Sequence, residues 1–297
     1  MMEILGQILM LAPPILITAV GACFTEITGV TNLGLEGMML CGAFAGATVS
    51  YYTGNPYMGL IAGVLAGGII SLVHAFISIN LRGNQIVSGV AINLLAVALT
   101  SYLIKVLFKV AGSTPAAPRQ ASLMFVLILI YGLAIISNYI MYGTVLGLRM
   151  RAVGEHPLAA DTVGINVYLI RYIGVVMSGL YAGLGGAYMT TVMLPSFSNN
   201  MSAGRGFMAM AAMIFGKWKP WGAMLASFLF AFGSVLEVQL KIHYPNFPQQ
   251  FLAMIPYVLT LLALVGFVGK AKAPASSKAK ASRIRRFAVS AFFPCTR

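Results

Sequence analysis

The chain has 297 residues, of which 59% are hydrophobic and only 8% charged, and its mean hydropathy is +0.89. Soluble domains carry about 25% charged residues, so this composition cannot clothe a globular surface in water; with three cysteines it also excludes a disulfide scaffold, and its apolar bulk excludes disorder. The net charge of +13 is concentrated, because eight of the 19 Lys and Arg lie between Lys270 and Arg297 with no acid among them. Basic residues placed beside apolar runs report membrane topology, and no nucleic-acid partner is expected.

Nine apolar segments come near the ~20 helical residues that cross a hydrocarbon core. They are 4–24, 37–54, 57–80, 86–108, 121–142, 171–193, 205–216, 221–241 and 250–268. Runs such as Tyr57–Asn80 do not alternate as barrel strands would. The expected fold is an all-α polytopic membrane protein, a bundle of about nine (8–10) transmembrane helices. Residues 1–269 form the membrane domain, and 270–297 form a basic tail read as disordered and cytoplasmic. The start, Met1 to Pro14, holds one acid and no Lys or Arg. That is unlike a cleavable secretory signal, so the first run is read as a retained span.

Along the chain, Asn55-Pro56 opens a turn. Gly112 to Pro118 interrupts the middle, and Pro245 and Pro248 stop the eighth run by removing backbone donors. Pro13-Pro14 and Pro256 fall inside spans and predict kinks. The seventh segment is short, so it is broken, re-entrant or longer than drawn. With the basic tail in the cytoplasm, Lys217, Lys219, Arg149, Arg151 and Arg82 also fall inside, and nine crossings put the N-terminus outside. Lys105, Lys109, Arg119 and Lys241 then lie near the outer face, against the rule. Gly59, Gly63 and Gly67, Gly42 and Gly46, and Gly179 and Gly183 repeat at four-residue spacing. Such spacing lets helix backbones approach closely in lipid.

Three polar stretches need an explanation. The loop from Gly143 to Arg171 contains Pro157, suited to the first position of a helix, and Gly164, suited to the position just past its end. Leu158, Ala159, Thr162 and Val163 between them form a small apolar stripe. A helix of about seven residues is too short to stand alone; it rests on its own bundle or docks another protein. The segment Glu26–Gly37 holds two carboxylates and Asn32 between two spans. It is either an ordinary loop or a re-entrant stretch lining a polar cavity, where Asn32 and Glu36 would contact a polar solute. Asn93 lies within the fourth span, with Asn84, Gln85 and Ser88 before it. These side chains either bond between helices or line a solute path. Glu237 and Lys241 suit an i,i+4 ion pair. His74 and His243 stand alone and support no metal site. No nucleophile motif and no Gly-rich loop followed by Lys-Ser or Lys-Thr occurs, so neither an enzyme nor an ATP site of the Walker type is expected.

The stretches FTEITGVTNLGLEGMML (Phe24–Leu40), GNQIVSGVAINLLA (Gly83–Ala96), GLRMRAVGEHPLAADTVGINV (Gly147–Val167) and SAGRGFMAMAAMIFGKWKPWGA (Ser202–Ala223) carry a resemblance. Together they resemble the membrane subunit of bacterial ABC importers, nearest the simple-sugar and nucleoside permeases of the ribose and branched-chain amino-acid permease family. The likeness spans roughly residues 1–270; the tail departs from it. It implies a non-catalytic transport subunit in the plasma membrane, without a cofactor. The implied partners are a second permease, a separate ABC ATPase subunit and an extracytoplasmic substrate-binding protein. Asn32, Glu36, Asn84 and Asn93 become candidates for the solute path. Gly154, Glu155, Pro157, Ala159, Ala160, Gly164 and Ile165 become candidates for ATPase docking. The expected solute is a nucleoside or simple sugar. The alternatives are a branched-chain amino acid or, in a different class, an ion-coupled secondary transporter.

Overall fold

The computed structural model describes residues 2–244, 248–256 and 258. Within them the chain forms α1 (Met2–Ile27), α2 (Leu35–Thr53), α3 (Pro56–Ala75), α4 (Gln85–Phe108), α5 (Leu123–Gly143), α6 (Val145–Glu155), α7 (Pro157–Thr162), α8 (Val167–Tyr188), α9 (Arg205–Phe215), α10 (Pro220–His243) and α11 (Gln249–Ala253). Helices α3 and α8 each run on into one π-helical turn, Phe76–Asn80 and Met189–Met193. The described residues are otherwise turns and loops, with one isolated antiparallel bridge between Ser113 and Ser198.

Polar caps set many of the helix starts. Asn55 accepts from the Tyr57 N–H with Pro56 at the first helical position, Asn84 accepts from Ile86 and Val87, and Asn166 accepts from Leu169. The Asn166 cap starts α8 at Val167, ahead of the expected residue 171. Pro13 and Pro14 lie inside α1 without ending it.

Among the described residues, six helices are long and apolar enough to cross a membrane: Leu5–Ile27, Pro56–Asn80, Gln85–Phe108, Leu123–Gly143, Val167–Met193 and Pro220–His243. Of the other expected spans, α2 has 19 residues but is rich in Gly, Ala, Thr and Tyr, and α9 has only 11. The segment 250–268 lies mostly, and the tail 270–297 wholly, outside the described residues.

Helices α1, α2 and α8 form the centre, where their residues are mostly buried, while α3, α4 and α5 turn long apolar side chains outward. The centre is held by the glycines. A Cβ on Gly42 would lie 2.5 Å from the Gly183 carbonyl oxygen, and one on Gly63 would lie 2.7 Å from that of Gly42. Gly67 likewise abuts the Gly179 carbonyl. Backbones of α2, α3 and α8 thus touch directly, as the four-residue spacing predicts. Glu237 and Lys241 pair at 2.6 Å on α10.

Helix directions sort the connections to two ends. Ile27, Asn80, the α6–α7 hairpin, the start of α8 and the α9–α10 turn gather at one, the hairpin end: Tyr172 donates to Asn80 at 2.6 Å, and Gly154 packs on the Ile27 carbonyl. The α2–α3 turn and the segments 109–122 and 194–200 gather at the other. There the chain from Gly112 to Ala121 runs beside 191–199, with Thr114 N–H to Phe197 O at 2.8 Å, Ala117 to Pro195 at 2.7 Å and Ala121 to Thr191 at 2.9 Å.

Candidate functional site

Two breaks in the helices meet inside the bundle. The first is residues 28–34, between α1 and α2. It is not a solvated loop: Thr28 and Asn32 are 0% and 2% exposed. Its backbone is satisfied by neighbouring helices, the condition for irregular chain at membrane depth. The Thr31 N–H donates to Gln85 Oε1 at 2.8 Å, and the Thr31 carbonyl lies 3.3 Å from His74 Nε2, whose Nδ1 is 3.0 Å from Ser88 Oγ. Asn93 bridges the gap, donating to the Leu33 carbonyl at 2.9 Å and accepting from the Gly37 N–H at 2.8 Å. Asn32 donates to Ser178 Oγ on α8 at 2.9 Å and accepts from Gly34 at 3.0 Å. The break runs from the level of Gln85, the first residue of α4, to that of Asn93, eight residues or about 12 Å further along that helix at 1.5 Å per residue.

The second break is the stretch leading into α9. Asn200, Ala203 and Gly204 take positive φ angles of 56°, 47° and 85°, and α9 starts at Arg205. Its opening N–H groups have no side-chain cap of their own. The acceptor comes from α2: Glu36 Oε1 accepts from Gly204 at 2.8 Å and Oε2 from Gly206 at 2.6 Å. Glu36 is 7% exposed and also lies in the first turn of α2. One carboxylate therefore faces the positive ends of two helices, where the aligned peptide dipoles favour it. Gly206 permits this approach, because a Cβ there would lie 2.5 Å from the Glu36 Cα.

Asn32, Glu36 and Asn93 are thus brought together at the breaks. Asn84 is not among them; it is exposed and caps α4. The sequence reading missed a cavity of about 360 Å³ at the lead-in to α9, whose lining includes Met189, Met193, Asn199, Asn200 and Arg205. Its available signal was the polar run Ser196 to Arg205 just before a short apolar segment.

At the hairpin end, α7 begins with Pro157 at its first position and is followed by Gly164 at φ 81°. Gly154 and Ala160 face inward, Ala160 being 4% exposed within the apolar core. Pro157 and Ile165 are half-buried, and Glu155, Ala159 and Gly164 are exposed. The outward apolar surface is made by Leu158 and Val163, 60% and 73% exposed.

Buried apolar helices, glycine-mediated backbone contacts and paired polar breaks within the bundle define a multi-pass membrane protein of the permease class. The chain belongs to the family described as the permease component of branched-chain amino acid transport systems, which matches residues 4–264. It is 40% identical over 293 residues to the guanosine ABC transporter permease protein NupQ of Bacillus subtilis, covering 90% of this chain and 92% of that one. It is 38% identical to the nucleoside ABC transporter permease protein NupC of Lactococcus lactis, covering 91% and 94%. Its fold is similar to that of PsaBC from Streptococcus pneumoniae, solved in complex with a Fab, with a TM-score of 0.53, 13% identity and coverage of 87% and 89%.

Proposed function

We propose that this chain is the membrane-spanning subunit of an ATP-driven importer that carries nucleosides inward across the plasma membrane. The observation that carries this reading is the likeness, over nine-tenths of the chain, to two permeases named for guanosine and nucleosides. The site agrees with it in chemistry. Amides and hydroxyls suit a neutral, hydroxylated solute, and Glu36 is already engaged by backbone N–H groups rather than held ready for ion coupling.

The energy comes from a separate ABC ATPase that docks on α6–α7, with Leu158 and Val163 as its apolar contact and Gly154 and Ala160 as the seat that transmits its movement to α1. An extracytoplasmic binding protein delivers the solute at the opposite end, and a second permease completes the pathway. The basic residues favour this orientation, since Arg82, Arg149, Arg151, Lys217 and Lys219 all lie at the hairpin end. The nine-span arrangement counts the six long helices together with α2, α9 with its lead-in, and a last span from α11 onward.

The test is uptake in cells lacking nucleoside transport, with the chain expressed together with its ATPase, second permease and binding protein. Labelled guanosine accumulates in an ATP-dependent way, and leucine and glucose do not. Leucine uptake without guanosine uptake, or guanosine uptake by the chain alone on an ion gradient, would overturn the reading.

A further inference from the structure

We infer that the cavity between the π-helical end of α8 and the strained lead-in to α9 is a binding site for the nucleobase of the transported solute, with Asn199 and Asn200 as its specificity-determining side chains. The inference rests on the nucleoside reading and names where on this chain that solute sits.

Size and lining support it. The cavity is about 360 Å³, within the range of small-molecule sites, about 300–1,000 Å³. Met189, Met193 and Met201 give the lining polarisable, apolar side chains, with the exposed Leu194 at its rim, and methionine sulfur contacts aromatic rings favourably. The lining also includes Asn199, Asn200 and Arg205; Asn199 Oδ1 accepts from Ser101 Oγ at 3.3 Å, and the Arg205 guanidinium donates to the Met201 carbonyl at 3.1 Å. Carboxamides offer paired donors and acceptors, the pattern that reads the edge of a planar base. A free sugar would leave the thioether side chains unused.

The backbone makes the same point independently. Asn200 and Ala203, neither of them glycine, hold left-handed φ angles of 56° and 47°. Such strain persists only where surroundings enforce it, and it concentrates at ligand clamps. The segment is pinned on both sides: Asn199 N–H donates to Gly112 O at 2.8 Å, and Gly204 N–H to Glu36.

The site is tested in membrane vesicles containing the complete transporter. A Leu194→Cys substitution places a thiol on the exposed cavity rim and keeps both amides; Val110→Cys places one at the same end outside the cavity. Guanosine is expected to slow maleimide labelling of the first about fivefold or more and to leave the second unchanged, while glucose and leucine protect neither. Adding Asn200→Gly, which keeps the left-handed backbone and deletes the amide, is expected to remove most of the protection, as loss of a paired hydrogen bond costs about tenfold. Absence of protection in a Leu194→Cys transporter that still imports guanosine would overturn the site and leave the proposed function standing. Equal slowing at both cysteines would also overturn it, because that reports a global change rather than occupancy. Failure of the parent transporter to import any nucleoside would remove the functional reading, and this site with it.

Discussion

Glu36 is the residue on which the two breaks depend. Its oxygens satisfy two backbone N–H groups of a helix that starts inside the bundle, 168 and 170 residues further along the chain. A buried donor left without a partner costs about 1–3 kcal/mol. Glu36→Leu is therefore expected to destabilise the purified transporter by about 2–4 kcal/mol, read as a lowered melting temperature in detergent, and to cut uptake. Glu36→Gln keeps one acceptor oxygen and is expected to lose about half as much. A leucine variant as stable as the parent would show that α9 finds another cap. Asn32 is different in kind, since both ends of its amide are already engaged by Ser178 and Gly34. It holds the first break in shape.

Among the elements, α7 shows what local chemistry makes legible. Proline and glycine at its two ends act through their own backbone angles, so its bounds could be read from a few residues. Its inward and outward faces could not, because a helix this short gives only a brief apolar stripe and the surfaces it packs on come from α6 and α8. Those surfaces change which substitutions test docking. Ala160→Arg would push a charge into the core and damage the hairpin itself. Leu158→Arg with Val163→Arg leaves the seat intact and is expected to lower ATPase co-purification at least about tenfold, a loss of roughly 1.4 kcal/mol or more, with normal membrane insertion. Unchanged ATPase recovery would move the docking surface elsewhere. The close approach of α2, α3 and α8 was legible for the opposite reason, since the same glycine spacing recurs on all three helices. The Glu36–α9 junction was not. It joins residues far apart in sequence, and nothing in the composition of either segment names the other.

At the scale of the whole molecule, the two ends are chemically unlike. The hairpin end gathers six Lys and Arg residues (Arg82, Arg149, Arg151, Arg171, Lys217 and Lys219) with the short helix α7, and the opposite end carries the isolated bridge and the cavity-lined lead-in to α9. In intact cells, a membrane-impermeant maleimide is expected to label Val110→Cys and to spare Val163→Cys until the membrane is opened. The reverse pattern would invert the orientation and detach the hairpin from any cytoplasmic ATPase.

The shared carboxylate also sets an order of assembly. Ribosomes add about 5–20 residues per second, so the 170 residues separating Glu36 from Gly206 take roughly ten to thirty seconds to appear. Throughout that interval the acid lacks the two backbone N–H groups that hold it in the finished fold. The junction between the second and ninth helices therefore closes only after the ninth has been made, late in synthesis, although one of its two halves is among the first parts of the chain to appear.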